Sequence, residues 1–169
     1  MQKFLKTIVV RAMVNTREKV ALIIPIASLL ILALSAAPVN AHLFTFTAFL
    51  NSGQEPPPNT NNSRAFGVAF VTFNDGTGEV CFSISYTLDS LTSTETNAHF
   101  HAPAPPGVNA GVIIQLPTPD NPKNGCVTPS LSQDLIDALF AGLWYINIHT
   151  RNNPGGEIRG QVNLTWLAY

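Results

Sequence analysis

The sequence predicts an all-β domain, an antiparallel sandwich or barrel, with one short helix late in the chain. Several short segments alternate apolar and polar residues with the two-residue period of a strand buried on one face. Glycine, proline and asparagine cluster between these segments, as they do in the turns of antiparallel sheets. A single stretch repeats its apolar residues at the spacing of a helix.

The clearest strand patterns lie at residues 43–50, 67–73 and 79–88. In the third of these, Val80, Phe82 and Ile84 fall on one face of the strand. Residues 74–78 read Asn-Asp-Gly-Thr-Gly, which predicts a hairpin turn between the second and third strands. Further strands are predicted at residues 98–101, 112–116, 143–149 and 157–164.

One helix is predicted over residues 131–141. Its apolar stripe consists of Leu131, Leu135, Ile136, Leu139 and Phe140. Ser130 is a candidate N-cap, and Gly142 can end the helix. The sequence contains no internal repeat and no sign of a second folded domain, so we expect one hydrophobic core.

The first 41 residues have the features of a secretion signal. Residues 1–20 carry five basic residues and one acidic residue, and residues 21–37 are uncharged and apolar. Val39-Asn40-Ala41 places small residues where a signal peptidase cleaves, so we expect cleavage after Ala41. The alternative is an uncleaved anchor, although the apolar stretch is short for a spanning helix and contains Pro25. The prediction is therefore a secreted or periplasmic protein, with a signal peptide at residues 1–41 and a domain at residues 42–169.

The charge of the predicted domain excludes some classes of partner. Residues 42–169 contain four basic and nine acidic side chains, a net charge of −5 with neutral histidines. Binding to phosphate groups needs lysine and arginine to displace counterions, and this domain has few of either. We therefore expect no nucleic-acid partner and, after cleavage of the signal, no membrane association.

Cys81 and Cys126 both lie in the predicted domain. In an oxidising compartment a pair of cysteines usually forms a disulfide, which is the prediction here. The alternative, that both cysteines bind a metal, is weaker because neither lies close in sequence to the other or to a histidine.

Three of the four histidines lie in two short polar motifs. His99 and His101 alternate on a predicted strand, so they share a face with Cα atoms about 6.5–7 Å apart. By the same alternation Tyr145, Asn147 and His149 share a face of a later strand. If the two strands are neighbours, the three histidines form a metal site with room for water as a fourth ligand. The alternative is a structural cluster in which each imidazole bonds a backbone carbonyl and holds a turn.

His42 would become the first residue after cleavage. Its free α-amine and its imidazole would then form a chelate suited to Cu(II), so His42 is a further candidate ligand. The alternative is that His42 belongs to a frayed terminus. The residues predicted to orient the ligands are Asn97, Tyr145, Asn147, Glu157 and Arg159. For Glu157 and Arg159, ion pairs with their neighbours are the favoured alternative, and Glu55 is one more candidate acid.

The sequence predicts no catalytic residues. It contains no Gly-x-Ser-x-Gly elbow, no His-Glu-x-x-His pair and no glycine-rich phosphate loop. Nothing in the sequence singles out a carboxylate pair for glycoside hydrolysis.

The motifs together resemble the CHRD domain, a module named after chordin that also occurs singly in secreted bacterial proteins. The resemblance rests on four segments: 54–57 (QEPP), 98–104 (AHFHAPA), 107–112 (GVNAGV) and 142–161, which includes YINIHT and PGGEIRGQ. It covers roughly residues 44–163, with one departure: Ala102 stands where the family usually has glycine. The resemblance implies an extracellular, largely β domain and no established activity.

Two functions follow as expectations. The first is a non-catalytic extracellular module that binds another protein or a matrix component. The second is a copper or zinc protein for metal storage, delivery or redox chemistry. Its ligands would be His99, His101 and His149, with His42 as a possible fourth.

Overall fold

A computed structural model describes residues 41–89 and 93–168, with side chains described to residue 165. It contains eight strands: β1 (Leu43–Asn51), β2 (Phe66–Asn74), β3 (Glu79–Thr87), β4 (Glu95–His101), β5 (Val112–Gln115), β6 (Lys123–Val127), β7 (Trp144–Thr150) and β8 (Ile158–Ala168). One α-helix, α1 (Gln133–Phe140), precedes β7. The prediction of an all-β fold with one late helix is confirmed. The predicted signal peptide lies almost wholly in residues 1–40, outside the described residues.

The eight strands form one antiparallel sheet in the order β5-β4-β7-β8-β1-β2-β3-β6. The sheet curls into a half-barrel, as expected of a large sheet of twisted strands. The predicted hairpin turn joins β2 to β3, where the amide of Gly78 donates to the carbonyl of Asn74 at 2.8 Å. Strand β4 lies beside β7 near one end of the order although the two are far apart in sequence, and β8 follows on the other side of β7.

The hydrophobic core lies inside the curl. Alternate residues of the strands face inward and are buried, including Phe46, Val71, Ile84, Phe100 and Ile146. The helix packs on the same side, where the Phe140 ring meets that of Phe44 edge-on at 4.7 Å between centroids. The other residues of each strand therefore lie on the outer face of the sheet.

The helix begins later than predicted. Ser132, and not Ser130, is its N-cap, since its hydroxyl accepts from the amide of Leu135. Leu131 is held before the helix by a bond from its amide to the carbonyl of Pro129. Gly142 follows the helix with φ of +70°, a conformation that favours glycine and ends the helix as predicted.

Strand β6 lies between the strand predicted at residues 112–116 and the predicted helix, where the sequence predicts no strand. It pairs with β3 and carries Lys123, whose ammonium group is fully buried. That group donates to Glu95 at 2.6 Å and to the carbonyls of Pro117 and Asp120. Residues 123–127 form a strand because they pair with β3 and because Lys123 is held by Glu95. The segment has no alternation of apolar and polar residues that would predict a strand.

The predicted disulfide is present and joins β3 to β6, with Cys81 directly opposite Cys126 in the register. It anchors the edge strand to the rest of the sheet. In the described part of the chain, no helix has the length and apolar character needed to cross a membrane.

Replacing both cysteines, as Cys81→Ser/Cys126→Ser, should lower the free energy of unfolding by about 4 kcal/mol. The disulfide closes a loop of 45 residues, and the entropy it removes from the unfolded chain corresponds to about that value. Denaturant unfolding measures the difference, with Ser83→Ala on the same face of β3 as a control. A double variant as stable as the wild type would contradict a structural role for the bond.

Candidate functional site

The register of three strands brings the predicted polar motifs together on the outer face. In β4 and β7, His99 pairs with Asn147 and His101 with Tyr145. In β7 and β8, Asn147 pairs in turn with Arg159. Paired residues in neighbouring strands point to the same face. Residues that are up to 60 positions apart in sequence therefore form one polar layer.

His99, His101 and His149 form a compact cluster in this layer. The ring centroid of His99 lies 5.3 Å from that of His101 and 5.1 Å from that of His149, and the remaining pair is 6.3 Å apart. One ring nitrogen from each histidine can be chosen so that all three lie within 4.8 Å of one another. This is close to the separation required of ligands on one metal ion, since zinc–nitrogen bonds are about 2.0–2.1 Å long.

Each histidine keeps a buried ring nitrogen without a hydrogen-bond partner. The Nδ1 atoms of His101 and His149 each lie 3.0 Å from a backbone carbonyl, those of Ala110 and Pro154. A carbonyl can only accept, so both Nδ1 atoms carry the proton and both Nε2 atoms present a lone pair. These two Nε2 atoms and the Nδ1 of His99 are buried and unpartnered.

Burial keeps the three imidazoles neutral. It lowers the pKa of His101 to about 4, although the bond to the carbonyl of Ala110 opposes this effect. Burial also lowers the pKa of His99, together with the charge of His149, and it lowers the pKa of His149 itself. Near neutral pH each neutral imidazole has one nitrogen with a lone pair, so a cation meets little competition from protons.

An aromatic stack supports His101. Its ring lies parallel to that of Tyr145, with centroids 4.7 Å apart and planes inclined by 2°. The guanidinium of Arg159 covers the same tyrosine ring, with Cζ 3.5 Å from the centroid. The Tyr145 hydroxyl accepts from the amide of Ala110 at 3.0 Å. The stack fixes the plane of the His101 ring.

Next to the cluster, Glu55 and Asn147 face each other in a buried pair. The Asn147 amide nitrogen lies 3.4 Å from Glu55 Oε2, while Glu55 Oε1 and Asn147 Oδ1 have no partner. Burial raises the pKa of Glu55 to about 7, against the lowering effects of Arg159 and Asn147. A protonated Glu55 can donate from Oε1 to Asn147 Oδ1, which would satisfy both unpartnered oxygens.

Gly156 makes this close approach possible. A Cβ atom at this position would lie 2.5 Å from Glu55 Oε1 and 2.6 Å from Asn147 Oδ1, and the backbone there has φ of +136°. Both the space and the conformation therefore require glycine.

A cavity of about 300 Å³ opens beside this pair, over β8. Its walls are Gly53, Gln54, Glu55, Pro56, Pro57, Pro106, Gly107, Arg159 and Gln161. The loop before β5 is held over the layer by Arg159, which donates to the carbonyls of Val108 at 2.8 Å and Pro105 at 3.2 Å.

A model of the CHRD domain family matches residues 46–162, which include the three clustered histidines, Glu55, Tyr145, Asn147, Arg159 and Gln161. The chain belongs to the CHRD domain family. The resemblance seen in the sequence is thereby confirmed. No curated protein and no solved structure matches the chain.

The CHRD domain places one of the predicted ligands, His42, apart from the histidine cluster. The backbone amide and Nδ1 of His42 bond the carboxylate of Asp75 at 2.6 and 3.0 Å, beside the β2–β3 hairpin. Asn97 lies next to the cluster on β4 and accepts from the amide of Gln115 at 2.6 Å. The structure thus assembles three of the four candidate ligands.

Glu157 belongs to a separate network and forms no ion pair with Arg159. Its carboxylate accepts hydrogen bonds from Ser63, Ser93, Thr150 and the amide of Asp89. Burial alone would raise the pKa of Glu157, but these bonds outweigh it and hold the pKa below its usual range. This carboxylate ties three loops to the end of β7.

Gln161 was not recognised as part of the site in the sequence. It accepts from Arg159 at 2.9 Å and donates to the carbonyls of Ala104 and Gly142. Gln161 lies two residues after Arg159 on the last predicted strand, so the two side chains share a face. This spacing is the sequence feature that could have assigned Gln161 to the site. Glu55 had no comparable signal, because its loop reaches the site only through the tertiary fold.

The variant Glu55→Gln should be more stable than the wild type at pH 8 by about 1–3 kcal/mol. The folded-state pKa of about 7 lies above the ordinary 4.5. The stabilisation from the protonated form is therefore complete below about pH 4.5 and is lost as the pH rises through 7. Glutamine keeps the shape and stays neutral.

Denaturant unfolding at pH 8 and at pH 5 measures this difference, which should shrink as the pH falls. The comparison between the two proteins cancels the titration of the histidines. A wild type that is equally or more stable at pH 8 would show that Glu55 ionises without penalty.

Proposed function

We propose that this CHRD domain binds one copper or zinc ion through His99, His101 and His149, in a protein exported from the cell. The observation that carries the proposal is a cluster of three histidines, each of which has a buried ring nitrogen without a hydrogen-bond partner. A buried polar atom without a partner is destabilising by about 1–3 kcal/mol, so three in one cluster are what a ligand-binding site would present.

The orientation of the rings supports the proposal. Metal-binding histidines usually donate the second ring N–H to a backbone carbonyl or a carboxylate, which sets the tautomer and aims the other nitrogen at the ion. His101 and His149 follow this pattern with Ala110 and Pro154. Tyr145 holds the His101 ring from its face.

The competing hypothesis is a structural cluster, in which the histidines only hold turns. It explains the two bonds from Nδ1 to carbonyls. It does not explain why each ring has a buried nitrogen without a partner, or why the three rings lie so close together. An architectural role alone would be met as well by residues with no second polar atom.

The donor set favours a borderline transition metal. Three neutral imidazoles suit zinc and copper, whereas calcium and magnesium prefer oxygen ligands. Cys81 and Cys126 are joined in the disulfide and offer no thiolate. Three protein ligands leave a position for water or a fourth donor, which is compatible with storage, delivery or redox chemistry.

Export is part of the proposal. The basic and apolar pattern of residues 1–41 is that of a signal peptide. The disulfide supports an oxidising compartment. A secreted or periplasmic location would place the site where free metal ions are exchanged between proteins.

Titration of the purified metal-free protein with Zn(II) and Cu(II) should give one ion bound per chain. His149→Ala should weaken this binding about 100-fold or more, because one of three ligands is lost. Calorimetry or competition with a chromogenic chelator measures the affinity.

His42→Ala is the matched control, since it removes a histidine that lies apart from the cluster. It should leave the affinity unchanged. The proposal fails if the folded wild type binds no more metal than His149→Ala, or if His42→Ala alone removes binding.

A further inference from the structure

Three phenylalanines are exposed together on the outer face of the sheet. Phe49 is 71 % exposed, Phe66 62 % and Phe70 56 %, the highest values among the large apolar side chains that the structure describes. Isolated apolar residues are ordinary on protein surfaces, but a contiguous patch usually marks a binding site.

The register places the three rings in one platform. Phe66 and Phe70 lie four residues apart on β2, a distance of about 13 Å along an extended strand. Phe49 lies on the adjacent β1 opposite Val68, midway between them. Phe49, Phe66 and Phe70 alternate with buried residues, so all three project outward from the same face.

Val68 lies on the same face, between Phe66 and Phe70 and opposite Phe49. The other side chains around this aromatic platform are polar but uncharged: Thr47 and Asn51 on β1 and Ser83, Ser85 and Thr87 on β3. Charged groups lie at the ends of these strands, at Glu79 and in the Arg64–Asp89 ion pair, and on the neighbouring β8, where Arg159 is fully buried. An anionic membrane would require basic residues here. The rings expose about 400 Å², less than the roughly 800 Å² per subunit of a stable protein interface.

The platform continues into the cavity. Across the sheet, Phe66 pairs with Asn51, Asn51 with Arg159, and Arg159 with Asn147. Gln54, Arg159 and Gln161 line the cavity, and the side-chain amide of Gln54 donates to the carbonyl of Phe49 at 2.7 Å. The exposed rings therefore adjoin a recess that is lined partly by amide side chains.

We propose that this surface binds a neutral polysaccharide. The C–H groups on one face of a sugar ring pack against the negatively polarised face of an aromatic ring. Its hydroxyls can bond to serine, threonine, asparagine and glutamine side chains, which donate and accept. An extended chain of sugar units would cover the platform and enter the cavity along β8. This surface contains none of the three clustered histidines.

Retention of the purified protein on insoluble cellulose, chitin, β-1,3-glucan and starch tests the proposal. The wild type should be retained by at least one of the four. Phe66→Ala/Phe70→Ala should weaken retention about tenfold or more, as should Phe70→Lys. Val112→Ala, at an exposed position on the distant strand β5, should be retained like the wild type. So should His149→Ala, which separates this site from the metal site.

Thermal unfolding should show that the variants remain folded, since the replaced side chains are exposed. The proposal is overturned if none of the four polysaccharides retains the wild type, or if the phenylalanine variants are retained equally well. It is also overturned if the phenylalanines instead mediate binding to phosphatidylcholine vesicles, or self-association in sedimentation, without retention on polysaccharide.

Discussion

A single buried cation organises the outer face of this domain. Arg159 is fully buried near the start of β8, and no carboxylate among the described residues forms an ion pair with it. The carbonyls of Pro105 and Val108, the amide oxygen of Gln161 and the ring of Tyr145 compensate for its lost hydration. These contacts fix the loop over the site and the ring on which His101 stacks.

The same desolvation sets the chemistry of the neighbouring groups. It holds the histidines neutral and raises the pKa of Glu55, so Arg159 is the main charge of the layer at neutral pH. A second positive charge close to a buried arginine is disfavoured in low dielectric unless the new ligands compensate for it. At the proposed site the imidazole lone pairs would supply that compensation, and Tyr145 separates His101 from the guanidinium. Metal affinity at the proposed site would therefore depend on the position of Arg159.

The sequence predicted the strands in which apolar and polar residues alternate regularly. It also predicted which faces of their strands His99, His101 and His149 occupy, because side chains alternate between the two faces with a period of two. It could not predict that β4 and β7 are neighbours, since they are joined by edge strands and a helix rather than by a hairpin. It missed β6, which depends on the buried Lys123 and on pairing with β3. It could not predict that Glu55 lies beside Asn147, or that Glu157 and Arg159 belong to different hydrogen-bond networks. Both arrangements depend on loops that meet only in the folded state.

The central claim is that His99, His101 and His149 share one ion. Crystals of the zinc-loaded protein, with anomalous diffraction recorded on both sides of the zinc absorption edge, test it most directly. The account predicts one strong anomalous peak about 2.0–2.1 Å from a nitrogen of each of the three rings. A peak at the His42–Asp75 pair, or no peak within bonding distance of the three imidazoles, would contradict it.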